Sequence, residues 1–326
     1  MLPKLLKQRK EKKMAAPSDV NEINISSSPH FSENWNTRKT MLAVIISLVP
    51  LSVYGVILYG FNALFTILLS VVSCVVFEFL FQKLTKQTIR VGDLSCIVTG
   101  LLLALVLPPS VPFWMVILGA FFAIVVAKGF FGGIGANVFN PALTGRAFMF
   151  VSFPIAMTTW TTPMSDAVSG ATPLVSGASD YMSFFFGNRA GCIGESSVLL
   201  ILIACLFLVV TRIIDWKLPV SMVCTVALCT FLAGGDVLAS VMTGGLLFGA
   251  VFMITDYATS PVTPWGRVIF GAGCGLITFL IRNFGGYPEG VMFSILIMNV
   301  VVPFLNRIVP RKYGYGLKKA GKEGKK

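Results

Sequence analysis

"VGDLSCIVTGLLLALVLPPSVP" (residues 91–112) contains one apolar run, from 94 to 107, that ends in two prolines. A helix that crosses a bilayer needs about 20 mostly apolar residues, so this run is short. A span that stops inside lipid must have its free backbone groups satisfied by protein or by a cavity. The stretch therefore reads either as a broken or re-entrant helix, or as a tilted helix closed by a tight proline turn. A partner lies downstream in "GGDVLASVMTGGLLFGAVFMITDYATSPVTP" (234–264). Each copy has Gly-Asp, a Thr-Gly six or seven residues on, a Leu pair and a terminal cluster of Ser, Pro and Val. They fall five spans apart, and an odd number of spans per copy inverts the second copy. The expected fold is an all-α integral membrane protein of about ten transmembrane helices in a 5+5 inverted repeat with short or broken members. Chance recurrence of Gly and Leu is the alternative.

Composition points the same way. Of the 326 residues, 55% are hydrophobic and 12% charged, against about 25% charged in soluble domains. Ten apolar runs are candidate spans: 41–59, 62–82, 94–107, 111–128, 136–154, 196–211, 218–233, 237–255, 266–283 and 289–306. The formal charge of +12 is concentrated at the ends, with six of the 26 Lys and Arg in residues 1–13 and eight from Arg307 to Lys326. Such tails read as cytoplasmic anchors and not as a nucleic-acid surface. Lys83, Lys86, Arg90, Lys128, Arg212 and Lys217 then fall on one side, and only Arg189 and Arg282 break the pattern. This gives a basic cytoplasmic segment 1–40, a first repeat 41–154, an external loop 155–195, a second repeat 196–306 and a basic cytoplasmic tail 307–326. The first span serves as the insertion signal, with no cleavable leader expected.

Conventional catalytic sets are missing. One His (His30) and seven Cys without metal spacing exclude a His-rich metal site, an iron–sulfur set and Ser-His-Asp chemistry, so no metal is expected. No G-x-G-x-x-G follows a strand. Chemistry here has to ride on a bound cofactor.

The external loop supplies a handle for one. "SDAVSGATPLVSG" (165–177) is polar within an apolar chain, and Asp166 to Thr172 match the D-x-x-S/T-G-A-T/S pattern at which a flavin transferase joins FMN to a Thr hydroxyl. Ser169 belongs to the pattern, and Gly170 and Ala171 leave the backbone bare for a bulky donor. Asp166 is placed to hold a metal-bound diphosphate or to accept the hydroxyl proton. Thr172 supplies the attacking oxygen, and Pro173 stiffens the exit. The alternative is an ordinary turn-rich loop.

Five further stretches carry a resemblance: "ISSSPHFSENWNTRKTML" (25–42), "GANVFNPALTGRAFMF" (135–150), "SGATPL" (169–174), "GNRAGCIGESS" (187–197) and "FMITDYATSPVTPWGR" (252–267). In order and spacing, from 25 to 313, the chain resembles the NqrB/RnfD family of membrane flavin subunits. It is closer to RnfD of the Rnf complex than to NqrB of the sodium-pumping NADH:quinone reductase. The resemblance implies a subunit, inactive alone, of a pump that couples electron flow between ferredoxin and NAD⁺ to Na⁺ or H⁺ movement. It implies covalent FMN on the external side of a bacterial cell membrane, attached by a flavin transferase, and partners RnfA, RnfB, RnfC, RnfE and RnfG. It also implies a non-covalent riboflavin, for which Asn137, Asn140 and Arg146 are candidates by position. Asn137 and Asn140 could instead cap helices, and Arg146 could pair with an acid. Asp93, Asp236 and Asp256 at span ends serve either an ion path or helix caps, as do Glu78 and Glu195. Trp160, Tyr181 and Phe184–Phe186 could cover a flavin ring or form an interfacial belt. The competing reading from another class is a non-redox solute channel or transporter on the same core.

Overall fold

A computed structural model describes residues 36–163, 181–187, 189–285 and 289–308. Every regular element among them is helical. Helices α1 (Thr37–Tyr59) and α2 (Phe61–Leu84) are long and apolar enough to cross a membrane. At about 1.5 Å per residue the 23 residues of α1 reach about 34 Å. Gly60, with φ 70°, makes the sharp corner between them.

The quoted run from 94 to 107 folds as α3 (Ser95–Leu105), only 11 residues. Its sequence is apolar apart from Ser95 and Thr99, and both of these are buried with it, which suits a helix enclosed by protein. Leu103, Leu105 and Leu107 have no exposed surface, and truncating such a side chain to Ala costs about 2–5 kcal/mol. The helix presses on α2, where Ser70 Oγ donates to the Gly100 carbonyl at 2.8 Å. α4 (Phe113–Phe121) runs straight into a π-helical segment, 122–129. A glycine-rich turn with positive φ at Gly132, Gly133 and Gly135 follows. It delays the next helix, α5, to Pro141–Ser152, capped by Asn140. α6 (Pro154–Thr158) and α7 (Tyr181–Phe186) are short.

α8 (Val198–Val210) and α9 (Lys217–Leu232) open the second half. The run 237–255 is not one helix. α10 (Val237–Met242) stops at Thr243, and Gly244 and Gly245, with φ 64° and 67°, redirect the chain. α11 (Leu246–Phe248) then passes into a second π-helical segment, 249–253. α12 (Pro264–Phe284) is a third helix of membrane-spanning length, and α13 (Val291–Leu305) closes the bundle.

Within the segment 155–195, Cys192 and Ile193 have no exposed surface, and the Ile193 amide donates to the Leu107 carbonyl at 3.2 Å. The end of the 155–195 segment thereby plugs the bundle beside the C-terminal end of α3.

The surface of the long helices is apolar where lipid would lie, with Ile57, Phe61, Phe65 and Leu206 exposed, while Glu78, Lys128, Arg146, Arg189, Glu195 and Glu289 are buried. Small residues let helices meet closely. A Cβ at Gly275 of α12 would stand 2.7 Å from the Met222 carbonyl of α9, and one at Gly271 would stand 2.8 Å from the Leu218 carbonyl. This is the small-xxx-small contact of membrane helices. Gly275→Val is expected to cost about 1–3 kcal/mol by overpacking, read as a lower melting temperature in detergent, with Gly275→Ala milder.

Candidate functional site

Both π-helical segments meet at one cleft. Lys128 lies in the last turn of the first, Val251 and Phe252 lie in the second, and all three line it. Such segments are rare and concentrate at functional sites. The cleft is walled by both halves of the chain and is mostly apolar with a few polar groups, the usual lining of a small-molecule site. Met41, Val44 and Leu102 make apolar wall, and Thr40, Thr99, Asn137, Thr255 and Asp256 add polar groups.

Each polar group is positioned by its own element. Asn140 accepts from the Leu143 amide at 3.3 Å as the cap of α5, with Pro141 preset for the first helical position. Its Nδ2 donates to the Met253 carbonyl at 3.3 Å, tying the cap to the second π-helical segment. Asn299 of α13 is buried between the Thr259 carbonyl and the Asn140 amide, and with its side-chain nitrogen turned to the carbonyl it bonds both, at 3.3 and 3.2 Å. Asn137 accepts from the Gly135 amide and donates to the Phe139 carbonyl. Lys128 Nζ donates to both Glu78 carboxylate oxygens, at 2.9 and 2.7 Å, and to Ser95 Oγ at 2.6 Å. Ser95 in turn donates to Asp93, which also accepts the Ser95 amide. Asp256 accepts from the Ala258 amide at 3.2 Å and from Thr259 Oγ1 at 3.1 Å. Asp93 and Asp256 therefore both organise local turns.

Arg146 does not join Asn137 and Asn140 at the cleft. Six residues along α5 carry it about 9 Å from Asn140, into a second, tighter niche that it shares with Glu195, Phe248 and Glu289. There it pairs with Glu289 and donates to Cys192 Sγ at 3.4 Å. Cys192, Glu195 and Glu289 bring three ligand-type atoms within 4.8 Å of one another. The guanidinium already donates into that set, so a cation's place is taken.

Arg189 and Arg282, the two exceptions to the charge pattern, are explained by the broken helix. Arg189 donates to the Met242 and Glu195 carbonyls. Arg282 donates to Ser240, Thr243 and Gly244 carbonyls at 2.7, 3.1 and 3.0 Å. Together they satisfy the carbonyls that α10 leaves free where it stops. The Glu195 carboxylate lies against Gly245, where a Cβ would stand 2.3 Å from an oxygen, and the φ of 67° there favours glycine as well. Asp236 caps α10 by accepting from the Ala239 amide at 3.1 Å. It also accepts from the Tyr181 hydroxyl, which holds its carboxyl below the ordinary range.

Trp160 is buried with Ala190 and Cys192, and Phe184 is buried too, whereas Tyr181 and Phe186 are exposed. Asp166, Ser169, Gly170, Ala171, Thr172 and Pro173 lie outside the described residues. Nothing in the sequence singles out Lys128, Glu289 and Asn299 as site residues beyond their polarity within apolar runs.

The sequence profile described as the NQR2, RnfD, RnfE family matches residues 24–314. The D component of the Na⁺-translocating ferredoxin:NAD⁺ oxidoreductase complex of Acetobacterium woodii is 43% identical over 94% of this chain and 100% of its own. The D component of the proton-translocating ferredoxin:NAD⁺ oxidoreductase complex of Clostridium ljungdahlii is 42% identical over 90% of this chain and 97% of its own. The D component of the ion-translocating oxidoreductase complex of Stutzerimonas stutzeri is 36% identical over 85% and 92%.

Proposed function

The chain belongs to the NQR2, RnfD, RnfE family, and from that premise we propose that it is the membrane flavin subunit of a redox-driven pump. The pump passes electrons between ferredoxin and NAD⁺ and moves Na⁺ or H⁺ across the cell membrane. The observation that carries this is end-to-end identity above 40% with the D components of two such complexes. One of those is named for Na⁺ and the other for protons at nearly equal identity, so likeness alone does not choose the ion. The other subunits of the Rnf complex are its partners, and they handle ferredoxin and NAD⁺.

Ten spans in two inverted sets of five are the architecture proposed. In support, α2 packs on both α3 and α4, as α9 packs on both α10 and α12. Helices α1 and α8 meet across the halves, as do α5 and α13. Both termini are placed in the cytoplasm by their basic residues, and the 155–195 segment outside.

FMN joined to Thr172 supplies one- and two-electron transfer. Thr172 holds its phosphate, Gly170 and Ala171 leave room for the transferase's donor, and Asp166 orients that donor or takes the hydroxyl proton. A second, non-covalent flavin suits the cleft, whose apolar walls and convergent amides would grip a flat ring with polar edges. Asn137 lines it directly, and Asn140 both lines it and fixes the elements on either side. The buried pair Glu78–Lys128 lies at its edge, with the ammonium balanced by the carboxylate. The test is the absorption spectrum of purified chain co-produced with its flavin transferase. A flavin spectrum that persists after denaturation is expected, plus a second fraction released into the supernatant. Colourless protein would instead favour a channel without redox function.

A further inference from the structure

Beside the cleft, on the far side of a wall made by Ile213, Ile214, Thr255 and Tyr257, lies a second pocket of about 1060 Å³ to its mouth. It opens where α8 ends and where α9 and α12 begin, so it sits at the level of helix ends, where a bilayer has its headgroups. Arg212 and Arg267 line it, with Asp215, Trp216 and Ser260. Arg267 is committed in part: its Nη1 donates to Asp215 at 2.6 Å and its Nε to the Pro261 carbonyl. Burial tends to raise the Asp215 carboxyl, but the Arg267 bond and the Lys217 amide outweigh it and hold it below the ordinary range. Asp215 thus stays ionised beside Arg212, Lys217 and Arg267, which leaves two positive charges in excess.

Arg212 is the informative residue. It is exposed, and its guanidinium makes no hydrogen bond or ion pair among the described residues. Its φ of 57° is that of the left-handed cap of α8, where the Arg212 amide donates to the Val209 carbonyl and the Ile213 amide to the Leu208 carbonyl. The Ser260 hydroxyl likewise has no partner among the described residues, and Trp216 and Tyr257 stand 56% and 51% exposed at the rim. Two guanidiniums, a hydroxyl and two amphipathic rings at headgroup depth form a receptor for a phosphate that carries apolar chains.

We propose that this pocket binds the phosphate of an anionic phospholipid, held by Arg212, Arg267 and Ser260, with Trp216 and Tyr257 against its glycerol and upper chains. Seated there, the lipid covers the outer side of the wall shared with the cleft. The binding chemistry is that of a phosphate group, and a soluble phosphate compound is the other source that could supply it.

The experiment is native mass spectrometry of the purified complex, delipidated in detergent and titrated with cardiolipin or phosphatidylglycerol, with phosphatidylcholine as the neutral control. Arg212→Asn removes the guanidinium while keeping a residue that tolerates positive φ, and Arg212→Gly is the second variant should the first not accumulate. Wild type should retain an anionic lipid on this subunit, and Arg212→Asn should need about five- to tenfold more for half-saturation. Arg212→Lys should recover part of the loss. Persistence of the adduct in excess inorganic phosphate assigns the site to lipid. Displacement by inorganic phosphate keeps the phosphate site and assigns it to a soluble compound. Equal retention by wild type, Arg212→Asn and Arg212→Gly, or no preference over phosphatidylcholine, would overturn the proposal.

Discussion

Thr172→Val is expected to leave the protein's band dark under ultraviolet light on a denaturing gel, where wild type fluoresces. The reasoning starts from the hydroxyl. A phosphoester needs an attacking oxygen, and within the D-x-x-S-G-A-T match Thr172 provides it. Valine keeps the volume and the β-branch, so the change removes the nucleophile and little else. A polar loop position tolerates such a swap within about 0.5 kcal/mol, and assembly into the complex should persist. Thr172→Ser keeps an oxygen and should keep part of the fluorescence. Complex carrying Thr172→Val should lose most ferredoxin-to-NAD⁺ electron transfer, because a relay with a carrier missing has no route of similar reach. Undiminished fluorescence in Thr172→Val would move the attachment to another residue.

Glu289→Gln should lower stability by about 3–5 kcal/mol, the usual consequence of stranding one member of a buried ion pair. Glu289 and Arg146 are 8% and 5% exposed, and Arg146 Nε already lacks a hydrogen-bond partner. Glutamine preserves the shape and takes away the charge that balances the guanidinium. Arg146→Met is expected to be as damaging, since it strands the carboxylate. The double variant Arg146→Met/Glu289→Met should recover much of the loss, because two apolar side chains of similar size replace the pair with no charge left over. Melting temperatures in detergent for wild type, Arg146→Met, Glu289→Met and the double variant give the coupling directly. Additive losses, with no recovery in the double variant, would show that the two side chains act separately.

The parts of the structure readable from the chain were those written into neighbouring residues. Composition alone placed the protein in lipid, and the prolines after Leu107 announced that α3 would be short. Asn140 before Pro141 spelled a helix start. These signals are local because caps, turns and apolar periodicity act over one or two helical turns.

The charged interior was settled only by packing. Arg146 and Glu289 are separated by 143 residues, and Lys128 and Glu78 by 50. In sequence each is a single charge in an apolar run, and its partner depends on which helix faces meet. Arg146 left the cleft that Asn137 and Asn140 share because the rise along α5 carried it towards Glu289. Arg189 and Arg282 broke the loop-charge pattern for the same kind of reason: an unfinished helix in a dry interior needs donors for its carbonyls, and these two side chains supply them. Burying a charge is costly enough that each one must find a partner. The sequence could show that partners were required, and only the tertiary contacts decided which residues they are.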